Sequence, residues 1–156
     1  MSESLSQRIE QLGLHLPTPS QPIANYVNHV VTRNLLYISG QIPLIDGKPG
    51  FIGRLGEAIS AEEGVSAAEL AALGLLAQLS DALGDDLSKL SRTIRLGVFI
   101  AASADFQRQG VVANGASNLL VNALGDKGRH VRTAVGVSSL PAGVAVEVDA
   151  IFELKP

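Results

Sequence analysis

The chain has 156 residues, a net charge of −3 and no cysteine; 46% of it is apolar, 17% charged and 4% aromatic. That length fits one domain, residues 1–156, with a core large enough to need no staples, and the missing thiols exclude disulfides, zinc thiolate sites and cysteine catalysis. There is no positive field to gather phosphates, no apolar run of the roughly 18 to 20 residues a membrane span needs, and no signal-like basic and apolar lead in "MSESLSQRIEQ"; a soluble cytoplasmic protein is expected, with no membrane contact and with nucleic acid disfavoured as a partner.

Residues 1–20 read as a short helix and an extended lead-in. In "SLSQRIEQLG", Ser4 and Gln7 have capping-box spacing, Leu5, Ile9 and Leu12 share a helical face, and Gly13 supplies a left-handed stop. Pro17, Pro19 and Pro22 then forbid regular structure. "YVNHVV" and "LLYIS" read as a hairpin ending at Gly40, and "IDGKPGFIGRLG" as a glycine-rich loop. The spacing predicts a long helix over 61–83: Ser60 and Glu63 form a second capping box, and Val65, Ala68, Ala72, Leu76, Leu79 and Leu83 recur before Gly84. "RTIRLGVFIAA" is a strand, "DFQRQGVVANGASNLLVNALG" ends as a helix stopped by Gly125, and the last fifth is a strand, a turn at "LPAG" and a strand. The order β, β, α, β, α, β, β is an α+β layout, two helices on one face of a single sheet.

Such a sheet leaves its other face to solvent or to another chain. In the last strand Val144, Val146, Val148, Ala150, Phe152 and Leu154 line one face, and Ala145, Glu147, Asp149, Ile151 and Glu153 the other. The strand before it sets Val131, Thr133, Val135 and Val137 against Arg132, Ala134, Gly136 and Ser138, so Arg132 has only small same-face neighbours. Two readings stay open for each charged residue. Arg132 is either a strand arginine paired with a surface acid or a planar fork for a carboxylate. Glu147 is either a salt-bridged strand glutamate or a water-positioning acid/base. His15, His29 and His130 have no metal-ligand spacing, "GKPGFIG" is not followed directly by a helix as a phosphate loop would be, and "GVSAAE" lacks the second glycine of a nucleophile elbow.

The C-terminal run "VRTAVGV", "LP", "VEV", with Arg132 and Glu147 fifteen residues apart, resembles the signature of the Rid family, the reactive intermediate deaminases also called the YjgF family. "ANYVNHVV" is similar to its segment with a binding-site tyrosine, here Tyr26. "YISGQIPL" resembles its strand end, here Ser39, Gly40 and Gln41, and "VANGASNLL" its segment with a site asparagine, here Asn114. These cover residues 21–154 in order, and the N-terminal helix and glycine-rich loop resemble a longer branch labelled endoribonucleases. His130, Thr133 and Ala134 depart from the usual neighbours of the arginine.

The resemblance implies a chorismate-mutase-like fold and a homotrimer with helices outside, sheets around a central barrel, and a ligand site in each cleft between subunits. Arg132 and Glu147 are then expected on the inter-subunit side of the sheet as the catalytic pair, with Tyr26, Ser39, Gly40, Asn114 and the backbone at Ala134 binding substrate. The implied reaction is hydrolysis of small enamines or imines to 2-keto acids and ammonia, needing no cofactor or metal. The alternatives are a non-catalytic trimer that binds a small carboxylate and, third, an endoribonuclease, which the negative charge and scarce aromatics fit badly.

Overall fold

The computed structural model describes residues 3–156; the first two residues of the expected N-terminal segment lie outside it. The elements are α1 (Leu5–Gln11), β1 (His29–Thr32), β2 (Leu35–Gln41), β3 (Leu44–Ile45), β4 (Lys48–Pro49), α2 (Ala61–Leu83), β5 (Leu90–Ala101), α3 (Gln109–Leu124), β6 (Val131–Val137) and β7 (Val146–Leu154). One mixed sheet runs β1-β2-β7-β5-β6, antiparallel except for the parallel β5–β6 pair, and β3–β4 form a separate small hairpin. The fold is α+β, with α2 and α3 packed on each other and on one face of the large sheet.

Local chemistry sets most of these boundaries. Ser60 caps α2 by accepting from the Glu63 N–H while the Glu63 carboxylate accepts from the Ser60 N–H, and Gly84 ends the helix in the left-handed region at φ 63°. The buried side of α2 meets Phe152, Leu36, Leu96, Val98 and Val148 from the sheet in one core. From Val146 on, β7 alternates as expected, with Val146, Val148, Ala150 and Phe152 buried and the residues between them half-buried; Ala145, expected on the open face, precedes the strand and is fully buried in the core, its N–H donating to the Phe51 carbonyl.

Four further expectations are corrected. In α1 only Leu5 and Ile9 are buried; the helix ends at Gln11, and Leu12, in the cap position, is 40% exposed. The first strand begins at His29, leaving Tyr26 in the preceding loop, where its N–H turns back onto the Ala24 carbonyl and the Asn28 side chain donates to the Ser20 carbonyl. The glycine-rich loop contains the β3–β4 hairpin, turned by Asp46 and Gly47 at φ 52° and 77°; beyond it Leu55 is fully buried.

The fourth correction concerns the site. Leu96 of β5 is in register with Arg132 on one side and Ala150 on the other, whereas Phe99 is in register with Val135 and Glu147. Registered neighbours share a face, so Arg132 and Ala134 lie on the helix-covered face and Glu147 on the open one. The two are not on a common side of the sheet. The cause is the helix above β6: residues under α3 must be small or reach its edge, and Val131 and Val135 are turned outward instead, 68% and 40% exposed.

The helix pair depends on one close approach. A Cβ on Gly115 of α3 would collide with the Val65 carbonyl oxygen of α2, a backbone atom that cannot swing away. Gly115→Ala should therefore cost about 1–3 kcal/mol despite its better helix propensity. Gly74→Ala in α2, which meets only the Gln41 side chain at 3.4 Å, should be neutral or stabilising. Urea midpoints of the two variants check this; equal midpoints would mean that α2 and α3 are not this close.

Candidate functional site

Arg132 projects from the edge strand β6 toward the first half of α3. Its Nη1 donates to Asn114 Oδ1 at 2.9 Å and Ser117 Oγ at 3.1 Å, which uses both Nη1 protons. Asn114 and Ser117 are three apart on α3 and so share a face. The Gly128 carbonyl can only accept, so His130 Nδ1 donates to it at 2.6 Å, and in the neutral ring Nε2 then accepts from Ser117 Oγ at 2.9 Å. The relay Arg132, Ser117, His130, Gly128 carbonyl fixes the guanidinium's orientation. Nη2 and Nε make no hydrogen bond among the described residues, and Nη2 faces Gly110, where an added Cβ would sit 3.6 Å away. The free edge of the fork can thus donate two parallel hydrogen bonds to one carboxylate. Ala134, two residues along the same face, is partly buried against the core.

Glu147 lies on the open face, in the space above Gly40. A Cβ on Gly40 would come within 2.6 Å of Glu147 Oε1, so only glycine leaves the carboxylate its present position. The β2–β7 register is irregular between Ile38 and Gln41, where this passage occurs. Glu147 is half-buried and has no hydrogen bond or ion pair among the described residues. Burial, and secondarily the negative charge of Asp149, push its carboxyl above the usual range. Asp149 itself is paired with Arg95 at 3.4 Å.

The structure therefore brings Asn114 to Arg132, with Ala134 beside them, and Gly40 to Glu147, with Ser39 next to it. It does not bring the two groups together within one chain. Tyr26 is 48% exposed in the loop before β1. Gln41 is buried, accepting from Ser20 Oγ and donating to the Ser39 carbonyl, so it supports the strand end. Ser117, His130 and Gly110 were not anticipated. Spacing signals existed for two: Ser117 is one helical turn from Asn114, and His130 is on the same strand face as Arg132.

Residues 6–153 match the profile of a family described as "YjgF/chorismate mutase-like, putative endoribonuclease". The chain belongs to this family. Protein TCP17 of Trypanosoma cruzi is 42% identical over 155 residues, 99% of this chain and 96% of that one. A solved structure of an Agrobacterium tumefaciens protein of unknown function superposes with TM-score 0.91 at 44% identity, covering 97% of this chain and 92% of the other. A Shewanella oneidensis structure called a "putative endoribonuclease" gives TM-score 0.93 at 30% identity over 97% and 100%. The Rid/YjgF membership thus extends through the N-terminal helix and the β3–β4 segment as well as the signature strands.

The unpaired carboxylate gives this family member a stability signature. Its pKa is raised in the fold, so the folded chain binds the Glu147 proton more tightly than the unfolded chain does. Stability contributed by that proton is present below the unfolded value and lost as pH rises through the raised folded value. Glu147→Gln lacks this loss. Without ligand, the variant should be more stable than wild type at pH 7 to 8, with the gap closing toward pH 4. A variant less stable at pH 7 would mean that a cation from another chain already holds the carboxylate.

Proposed function

We propose that this Rid/YjgF protein hydrolyses small imines, and enamines after protonation at carbon, to 2-keto acids and ammonia, at sites assembled between the chains of a homotrimer. The carrying observation is the placement of the two charged groups. Arg132 is locked by Asn114 and Ser117 with one edge of its fork open, and Glu147 is half-buried without a partner on the opposite face. One ligand cannot touch both groups of the same chain. A neighbour whose open face covers the β6 edge would bring its Glu147 to this chain's Arg132, and would bury Val30, Tyr37, Val131 and Val135, each 40% exposed or more.

In that cleft the substrate carboxylate accepts two parallel hydrogen bonds from Arg132 Nη2 and Nε, leaving the imine carbon toward the neighbour's Glu147. Glu147 takes a proton from a water as the water oxygen adds to the imine carbon and hands it to the nitrogen, giving a carbinolamine; it then moves the hydroxyl proton to the same nitrogen as the C–N bond breaks and the carbonyl forms, so the products are a 2-keto acid and ammonia with one water consumed. A carboxylate with raised proton affinity is the better base for this step. The backbone at Ala134 binds the nitrogen, and Tyr26, Ser39 and Gly40 border the Glu147 half. Positioning and charge complementarity supply most of the rate. RNA cleavage is not favoured, since a net charge of −3 and 4% aromatic residues provide neither a backbone track nor stacking platforms.

Ammonia release from freshly generated 2-iminobutyrate tests the reading. Arg132→Lys should lose substrate binding, because an ammonium cannot supply the paired bonds. Glu147→Gln should retain 2-oxobutyrate binding and lose turnover by about 10²-fold. The two inactive variants, unfolded and reassembled together in equal amounts, should regain about a quarter of wild-type activity, since each interface joins an intact Arg132 to an intact Glu147 in about one case in four. No regain would overturn the shared site. Carboxylate binding without any turnover by wild type would leave a non-catalytic carboxylate-binding trimer.

A further inference from the structure

Further along β6 from Arg132, at the start of α3, lies a cavity of about 340 Å³ walled by Arg54, Ser103, Phe106, Gln109, Gly136 and Ser138, while Arg132 itself borders a neighbouring recess with Ser117 and His130. Adjacent residues of α3 join it to the arginine. Gly110 faces Arg132 Nη2, and Gln109 Nε2 lies 3.4 Å from where a Gly136 Cβ would be. Arg132, Ala134 and Gly136 succeed one another on the same strand face, so the cavity is the next recess along β6 from Arg132.

Arg54 is the charged wall of this cavity, and most of its hydrogen-bonding capacity is unused. Nη2 donates to the Ala102 carbonyl at 2.7 Å, which fixes the side chain. Its one ion pair, to Glu57, is long at 3.7 Å and largely exposed, and such pairs contribute little. Nε is buried with no acceptor. One of the five guanidinium donors is therefore hydrogen-bonded, and the cavity lining carries no carboxylate to take the others. Gln109 Nε2 is committed to the Phe106 carbonyl at 2.8 Å, so Arg54 is the cavity's cation.

We infer that this cavity receives the distal end of the substrate and that Arg54 selects a second carboxylate there. The preferred substrates are then imines of acidic amino acids, 2-imino diacids gripped by Arg132 at one end and Arg54 at the other. A planar fork suits a carboxylate at both positions. This deepens the imine-hydrolysis reading and rests on it for turnover, though not for binding.

Titration calorimetry with 2-oxoglutarate and 2-oxopentanoate compares one carbon skeleton with and without the second carboxylate. Wild type should bind the diacid at least about tenfold tighter, roughly one added charge-assisted contact. In Arg54→Gln the preference should fall to within about twofold, with circular dichroism confirming the fold; if that variant does not fold, Arg54→Lys should show a reduced preference. Equal binding of the two acids by wild type, or a preference that survives in Arg54→Gln, overturns the inference. Ammonia release from 2-iminoglutarate and 2-iminopentanoate separates this result from the parent reading. Both imines hydrolysed at equal efficiency defeats the diacid subsite and keeps the hydrolase. Tight, Arg54-dependent diacid binding with neither imine hydrolysed keeps the subsite and defeats the hydrolase.

Discussion

Strand β5 fixes the relative placement of Arg132 and Glu147, because among the described residues it is the only strand in register with both β6 and β7. It pairs parallel with β6 and antiparallel with β7, and through Leu96 and Phe99 it determines which face each residue of those strands occupies. A slip of one residue on either side would exchange Arg132 for Thr133 under α3, or Glu147 for Val148 on the open face. Buried Val98 and Leu96, pinned between Val148 and Ala150 on one side and Ala134 and Arg132 on the other, hold the register against that slip. The electrostatic division of the sheet, a cation under the helices and an unpaired carboxylate outside them, follows from this pairing.

Helix α3 converts that strand position into an oriented group. It sits close to α2 because Gly115 admits the Val65 carbonyl and Gly64 admits Leu55 and Val112. The close approach places the opposite side of α3, with Asn114 and Ser117, over β6 at hydrogen-bonding distance from Arg132. Small residues thus act at two levels. Glycines bring the helices together, and Ala134 and Gly136 beneath α3 leave a groove beside the guanidinium.

The elements whose stabilisation is local were legible in the sequence. Ser60 with Glu63, the left-handed Gly84 and the alternation of β7 each act within a few residues, and periodicity reports them directly. The facing of β6 was not legible. Within "VRTAVGV" the β-branched set Val131, Thr133, Val135 is the more apolar, so a rule that buries the apolar set turns it inward and sends Arg132 out with Glu147. The structure does the reverse, since space under α3 admits alanine, glycine and an arginine reaching the helix edge. The inversion is itself informative: apolar residues facing out of an edge strand suit a face that another chain covers. Ser117 and His130 escaped for a related reason, as each is unremarkable until the β6 register sets Arg132 between them and the open groove.

Glu147 shows how a costly group can persist. A half-buried carboxylate with no donor nearby, and with Asp149 adding repulsion, destabilises the fold that holds it, and a neutral residue would pack there without that cost. A side chain at Gly40 would displace the carboxylate from its present position. Two positions on different strands therefore agree in keeping an unsatisfied negative charge on a face otherwise suited to burial. Structural ion pairing within the described residues is not the reason, since Glu147 makes none and Arg95, on the same face, is joined to Asp149. Glu147 and the open edge of the Arg132 fork are thus complementary groups left without partners on opposite faces of one sheet, which is the arrangement the proposed inter-subunit site would use.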